Sequence, residues 1–173
     1  MGNCSDVRRQ LKRFGLLLLQ DKKLPSVVGI ITGESLSTSW WSHPRGQDIF
    51  ACLESIEDEA IATNLINGKV TFVDKRLWPA VVAIGSSGEP WQTAGLGRHP
   101  KPKEVKERLL QFAEEVHTDS GRHETRLKPW GDFARERGVV TIAAEAALAE
   151  IEAAAMALGS TSKSLPWHRF TRR

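Results

Sequence analysis

Apolar residues recur at helical spacing from the start of the chain. Over residues 5–20, Val7, Leu11, Phe14 and Leu18 share one side, and Ser5 or Asp6 can cap the beginning. A helix is predicted there, ended by the charged break QDKKLP. The next run, LPSVVGIITGE, holds two conflicting signals. Its β-branched residues favour a strand, while Leu24, Val27, Val28 and Ile31 fit the i, i+3, i+4, i+7 template. Pro25 suits a first helical position and Gly33 a stop, so a short helix is predicted. In SWWSHPRGQDIFACLESIED a turn feeds a third helix. Ser42 can cap it, Pro44 is tolerated in its first turn, and Ile49, Cys52, Leu53 and Ile56 face inward.

The pattern then changes period. AIATNLINGKVTFVDKRLW reads as a β-hairpin, with Asn67-Gly68 supplying the positive φ angles of a two-residue turn. Val70 and Phe72 fall on one face of its second strand, Thr71 and Val73 on the other. Trp78-Pro79 opens a short helix with Leu77, Val81 and Ile84 inward, and the turn-rich GSSGEPWQTAGLG closes the unit. Two further helices are predicted. One places Val105, Leu109, Phe112, Ala113 and Val116 on a stripe; the other is alanine-rich, carries Leu148, Ile151, Ala155 and Leu158, and stops at Gly159. No internal repeat is present.

Helix, helix, turn, helix, NG-hairpin is the order of a winged-helix domain. The expected fold is therefore mainly α with a small β-hairpin (α+β). A winged-helix-like domain spans 5–88, a helical C-terminal region (102–159) packs on it, and a basic tail (160–173) is mobile unless it docks. Because the Gly/Pro-rich join is short, the halves should share aromatic contacts.

Charge changes this picture only locally. The formal net charge is +3 and the sequence pI about 9.0, compatible with a polyanionic partner without demanding one. The cations are uneven: Arg8, Arg9, Lys12 and Arg13 crowd the first helix, Arg98, Lys101, Lys103 and Lys106 form a second group, and Arg169, Arg172 and Arg173 end the chain. Solvated faces account for such clusters unless several cations share one side of the fold. Cys4 and Cys52 form neither a disulfide framework nor a CxxC zinc site, and two reduced thiols suit the cytoplasm. The longest aliphatic run, Leu16 to Leu19, is too short for a membrane span or a signal core. MGNCSD departs from a myristoylation signal at Asp6.

Two constellations could carry function. In a winged helix the third helix enters the major groove with its N-terminal residues. Here these are Trp41, Ser42, His43, Arg45, Gln47 and Asp48; Arg and Gln can read guanine and adenine bidentately, and Trp41 could stack on bases. Asn67, Lys69 and Lys75 would face phosphates from the wing. Against this, Glu54, Glu57, Asp58 and Glu59 make the same helix acidic at its end. The second constellation is EEVHTDSGRHE, where Ser120 could be a nucleophile with His117 or His123 as base, or the two histidines and Asp119 could bind a metal. Neither HExxH nor a nucleophile elbow is present, and a polar helix end looks much the same.

The segments LPSVVG, SWWSHPRGQDIF, NGKVTFVDKRLWPA and HTDSGRH, within residues 24–123, resemble those of a group of small uncharacterised bacterial proteins. The resemblance implies a bacterial, cytoplasmic origin and transfers no activity or catalytic residue. The leading expectation is a nucleic-acid-associated, DNA-binding protein without catalysis of its own, needing no cofactor and no metal. A protein-interaction module is the first alternative, with a protein partner or a second copy engaged through the helical C-terminal region. A small hydrolase or metal-dependent enzyme using His117, Ser120 and His123 is the second. No membrane association is expected.

Overall fold

The computed structural model describes residues 1–171, apart from the side chain of His117. It is an α+β fold whose helices surround two small antiparallel sheets. The first helix, α1 (Cys4–Phe14), is capped by Asn3, whose side chain accepts the Ser5 and Asp6 N–H groups while Asp6 reaches back to the Asn3 N–H. It stops well before residue 20. Gly15 adopts a left-handed conformation (φ 80°), and a side chain there would collide with Leu77. Leu16–Leu18 then form strand β1, buried along its whole length. The helix predicted through residue 20 is thus a helix, a glycine stop and a strand.

The short helix α2 (Val27–Thr32) matches its prediction, although Ser26 and not Pro25 marks its start, capping the Gly29 N–H, and Gly33 ends it. A 3-10 turn, Trp40–Ser42, precedes α3 (Gly46–Ser55). Ser42 and Pro44 therefore lie outside the helix, and Ser42 is not its cap. Ile49, Cys52 and Ile56 are buried as the periodicity requires. Strands β2 (Ala60–Ile66) and β3 (Lys69–Asp74) form the expected hairpin, with Asn67 (φ 53°) and Gly68 (φ 71°) at the turn. Thr71 and Val73 are buried and Val70 and Phe72 half-buried, in keeping with the alternation. The sheet order is β1-β3-β2, all antiparallel, with Leu17 opposite Phe72.

Helix α4 (Trp78–Gly85) follows with Val81 and Ile84 buried, then α5 (Pro90–Thr93) and α6 (Pro102–Glu107). The long helix predicted beyond residue 107 is absent. Leu109 takes a positive φ of 50°, and the chain turns into a hairpin of β4 (Phe112–His117) and β5 (His123–Lys128). Helix α7 (Trp130–Arg137) and the alanine-rich α8 (Ala144–Leu158) complete the C-terminal half, which is therefore not wholly helical. Ala147, Ile151, Ala155 and Leu158 of α8 are buried, and α8 packs on α4.

One hydrophobic core joins both halves, and the expected aromatic contacts are present. Trp78 meets Phe133 at 5.6 Å between ring centroids, with Phe112 and Trp130 in the same cluster. The tail docks. Helix α9 (Pro166–Arg169) follows a 3-10 turn, and Leu165, Pro166 and Trp167 are buried. Arg108 stacks on Phe170 at 3.7 Å and donates to the Trp91 carbonyl. Arg172 and Arg173 lie outside the described residues.

Glu152 on α8 accepts the Trp167 indole N–H (2.9 Å) and pairs with His168 Nε2 (2.8 Å). Those hydrogen bonds, from Trp167 first, hold the Glu152 carboxyl below its ordinary value of 4.5. A depressed carboxylate stabilises the folded state fully above its unfolded value and loses that contribution as pH falls through the folded value. The protection factors of the residue 165–171 amides, taken relative to intrinsic exchange at each pH, should therefore fall on acidification below the ordinary carboxylate range. In Glu152→Gln the fall should be smaller, because the titrating partner is gone.

The Cys4 and Cys52 sulfurs are bonded, joining α1 to α3. The expected pair of reduced thiols is thus corrected to a disulfide, which the large sequence separation concealed. Disulfides persist in oxidising surroundings, so the thiols no longer argue for a cytoplasmic location. Among the described residues, no helix is long and apolar enough to cross a membrane.

Candidate nucleic-acid interface

The α3 N-terminus is built by Arg45. Its Nη1 donates to the Gly2 and Ile31 carbonyls, and its Nε pairs with Asp48 at 2.8 Å. The Arg45 N–H in turn donates to His43 Nδ1 at 3.0 Å, while His43 Nε2 lies 3.6 Å from a Glu34 carboxylate oxygen. The guanidinium ties the chain start, the end of α2 and the start of α3 together. A base-reading role for Arg45 would require breaking those bonds.

This assigns a measurable structural role. Arg45→Ala should cost about 2 kcal/mol, the usual worth of hydrogen bonds from a charged donor. For a chain of this size that corresponds to a melting point lowered by roughly 4–8 °C. An unchanged melting temperature would show that the guanidinium is dispensable to the fold.

The remaining residues of the expected reading surface are accessible. Trp41 is 69% exposed, meeting Trp40 edge-on at 5.9 Å, and Ser42 and Gln47 face solvent. Around them, however, the outward positions of α3 are Asp48, Phe50, Ala51, Glu54 and Ser55. No uncommitted cation stands on that helix.

The two lysines expected to face phosphates separate. Lys69 Nζ is bound to Asp21 at 2.6 Å, and the turn beside it is covered, because the Asn67 N–H donates to the Ser164 carbonyl at 2.9 Å. Burial works to raise the Asp21 carboxyl, but bonds from Lys69, Leu24 and Lys23 outweigh it and hold the group below its ordinary value. Lys75 lies at the opposite end of β3. There Arg8, Lys12, Lys75 and Arg76 line a cleft of about 540 Å³ together with Glu59 and Asp74. Arg8 is neutralised by Glu59 (2.9 Å), and Arg76 is 3.6 Å from Asp74. Lys12, Arg13 and Lys75 have no carboxylate partner among the described residues, while Arg137 interacts electrostatically with Glu136. Lys75 and Arg137 both flank the Trp78 ring, at 5.9 and 5.8 Å. Of this group only Lys75 was singled out as a contact from the sequence. The Lys12-Arg13 pair was visible as a charge cluster, but its approach to Lys75 depends on the β1–β3 pairing.

The EEVHTDSGRHE segment forms the far end of the β4–β5 hairpin. His117 and His123 are cross-strand backbone partners, but the His117 side chain lies outside the described residues. Ser120 and His123 are exposed, and Ser120 Oγ lies 2.9 Å from the Thr118 hydroxyl. The Thr118 hydroxyl also accepts the Arg122 N–H, which accounts for these residues as a tight turn. Among the described residues no group of three or more His, Cys, Asp or Glu could hold a metal ion. No family model, curated protein or solved structure matches the chain.

Proposed function

We propose that this is a nucleic-acid-associated protein of winged-helix type, binding duplex DNA without catalysis of its own. Its phosphate-facing surface is the cleft between α1 and the end of β3. The order α1-β1-α2-α3-β2-β3, with β3 central in the sheet, supports the winged-helix reading. The observation that carries the function is the grouping of Lys12, Lys75 and Arg76 along one cleft, with Arg137 beside Lys75 at the Trp78 ring. Phosphate neutralisation with counterion release needs such a group, and the acidic α3 does not offer one. A bacterial cytoplasmic location goes with this reading, and reducing thiols there would meet the Cys4–Cys52 bond.

Fluorescence anisotropy with mixed-sequence duplex and single-stranded oligonucleotides tests it. Duplex binding is expected at low salt and should weaken steeply as salt rises. Replacing Lys12 and Lys75 by glutamine together should lower the salt slope by about 1.8, at 0.9 per lost phosphate contact. Lys69→Gln should change little, since Asp21 already neutralises that charge. No binding at low salt would end the proposal.

A second reading, a protein-interaction module, is favoured by Trp41 and by Phe50, which is 40% exposed. These aromatics stand beside Asp48 and Glu54, a combination that suits a basic, apolar partner segment. Light scattering and partner capture with Trp41→Ser as the control separate this reading from the first.

A further inference from the structure

We infer that the chain carries a second, small-molecule site, a cleft for a nucleoside diphosphate at the join of its two halves. The cleft has a volume of about 890 Å³, within the range of small-ligand pockets, and such pockets favour joins of this kind. One wall is the β1–α2 connection with Lys22 and Lys23, and the facing wall is the segment after α8 with Lys163. The walls are fixed to each other. Asp21 accepts the Lys23 and Leu24 N–H groups and the Lys69 ammonium, and the Asn67 N–H holds Ser164. Gln20 donates to the Leu36 and Thr38 carbonyls and sets the third side.

The chemistry of the lining selects the ligand. Asp21 compensates Lys69, but Lys22, Lys23 and Lys163 have no carboxylate partner among the described residues. Three lysines call for a ligand of more than one negative charge, beyond a simple monocarboxylate. Ser37 and Thr161 add hydroxyls suited to phosphate or ribose oxygens. Leu24, Leu36 and Leu158 give the cleft an apolar side on which a base can lie. A multiply charged head with a flat, largely apolar body is a nucleotide. This site lies by the hairpin turn, at the opposite end of β3 from the proposed DNA surface, and does not depend on it.

Titration calorimetry of the full chain with ADP, adenosine and pyrophosphate, at moderate salt, tests the inference. ADP should bind at least about tenfold more tightly than either half, because only ADP uses both the lysines and the leucines. Lys23→Gln combined with Lys163→Gln should weaken ADP by a similar factor, and Leu36→Asp should weaken adenosine and ADP together. Lys12→Gln with Lys75→Gln should leave ADP binding unchanged. Circular dichroism of each variant separates misfolding from lost binding. No heat with millimolar ADP, pyrophosphate binding as tightly as ADP, or ADP binding untouched by the lysine pair would each overturn it.

Discussion

Replacing Trp130 with alanine should lower the unfolding free energy by about 3–5 kcal/mol, the range for truncating a buried aromatic. Trp130 is 3% exposed and packs against Phe112 and Phe133 at 5.8 and 5.6 Å. Its indole N–H donates to the Leu109 carbonyl at 2.8 Å, the residue whose positive φ ends α6 and starts the second hairpin. Gln92 offers that carbonyl a second, longer bond at 3.3 Å, so the carbonyl would not be orphaned and the main loss is packing. Gly85 lets the ring approach, since a Cβ there would come within 2.3 Å of the indole nitrogen. Denaturant unfolding of Trp130→Ala beside Trp41→Ala measures the contrast. The exposed Trp41 should cost within about 0.5 kcal/mol, as surface changes do. Equal effects would mean that the aromatic cluster does not anchor the C-terminal half.

Opening the Cys4–Cys52 bond should have an effect of similar size. The bond closes a separation of 48 residues, for which chain-entropy arguments give about 4 kcal/mol at 25 °C. The folded state should survive reduction, because Arg8 donates to the Ser55 carbonyl and pairs with Glu59, while Arg45 holds the Gly2 carbonyl. The change therefore acts mainly on the unfolded chain. Urea unfolding with and without dithiothreitol should show a lower midpoint on reduction and a larger m value, since the unlinked chain exposes more surface. Identical curves would show that the bond contributes nothing in solution.

Where local chemistry decides, the sequence was legible. Asn67-Gly68 marked the first hairpin, Trp78-Pro79 the start of α4, and Gly159 the end of α8. The failures have physical causes. Leu16, Leu17 and Leu18 are all buried, so β1 lacks the alternation that separates a strand from a helix, and Leu18 happens to continue the stripe of α1. Val105, Leu109, Phe112 and Val116 likewise fit a helix by spacing, while Leu109 breaks it with a backbone angle that spacing does not encode. The candidate site depended on these misread elements. Without β1 against β3, nothing brings Lys12 toward Lys75, and Arg45 could be read as a free donor because its acceptors are backbone carbonyls of Gly2 and Ile31. Trp41, Ser42 and Gln47, expected to contact bases, are exposed, but the acidic character of α3 weighs against phosphates there.

The most direct test of the central claim is the map of amide NMR shifts when a short duplex is added to the labelled protein at low salt. Changes should concentrate at residues 8–15, 74–78 and 137, with α3 largely undisturbed. Changes centred on residues 41–51, with the α1 and β3 end silent, would return the contact to the α3 N-terminus and contradict it.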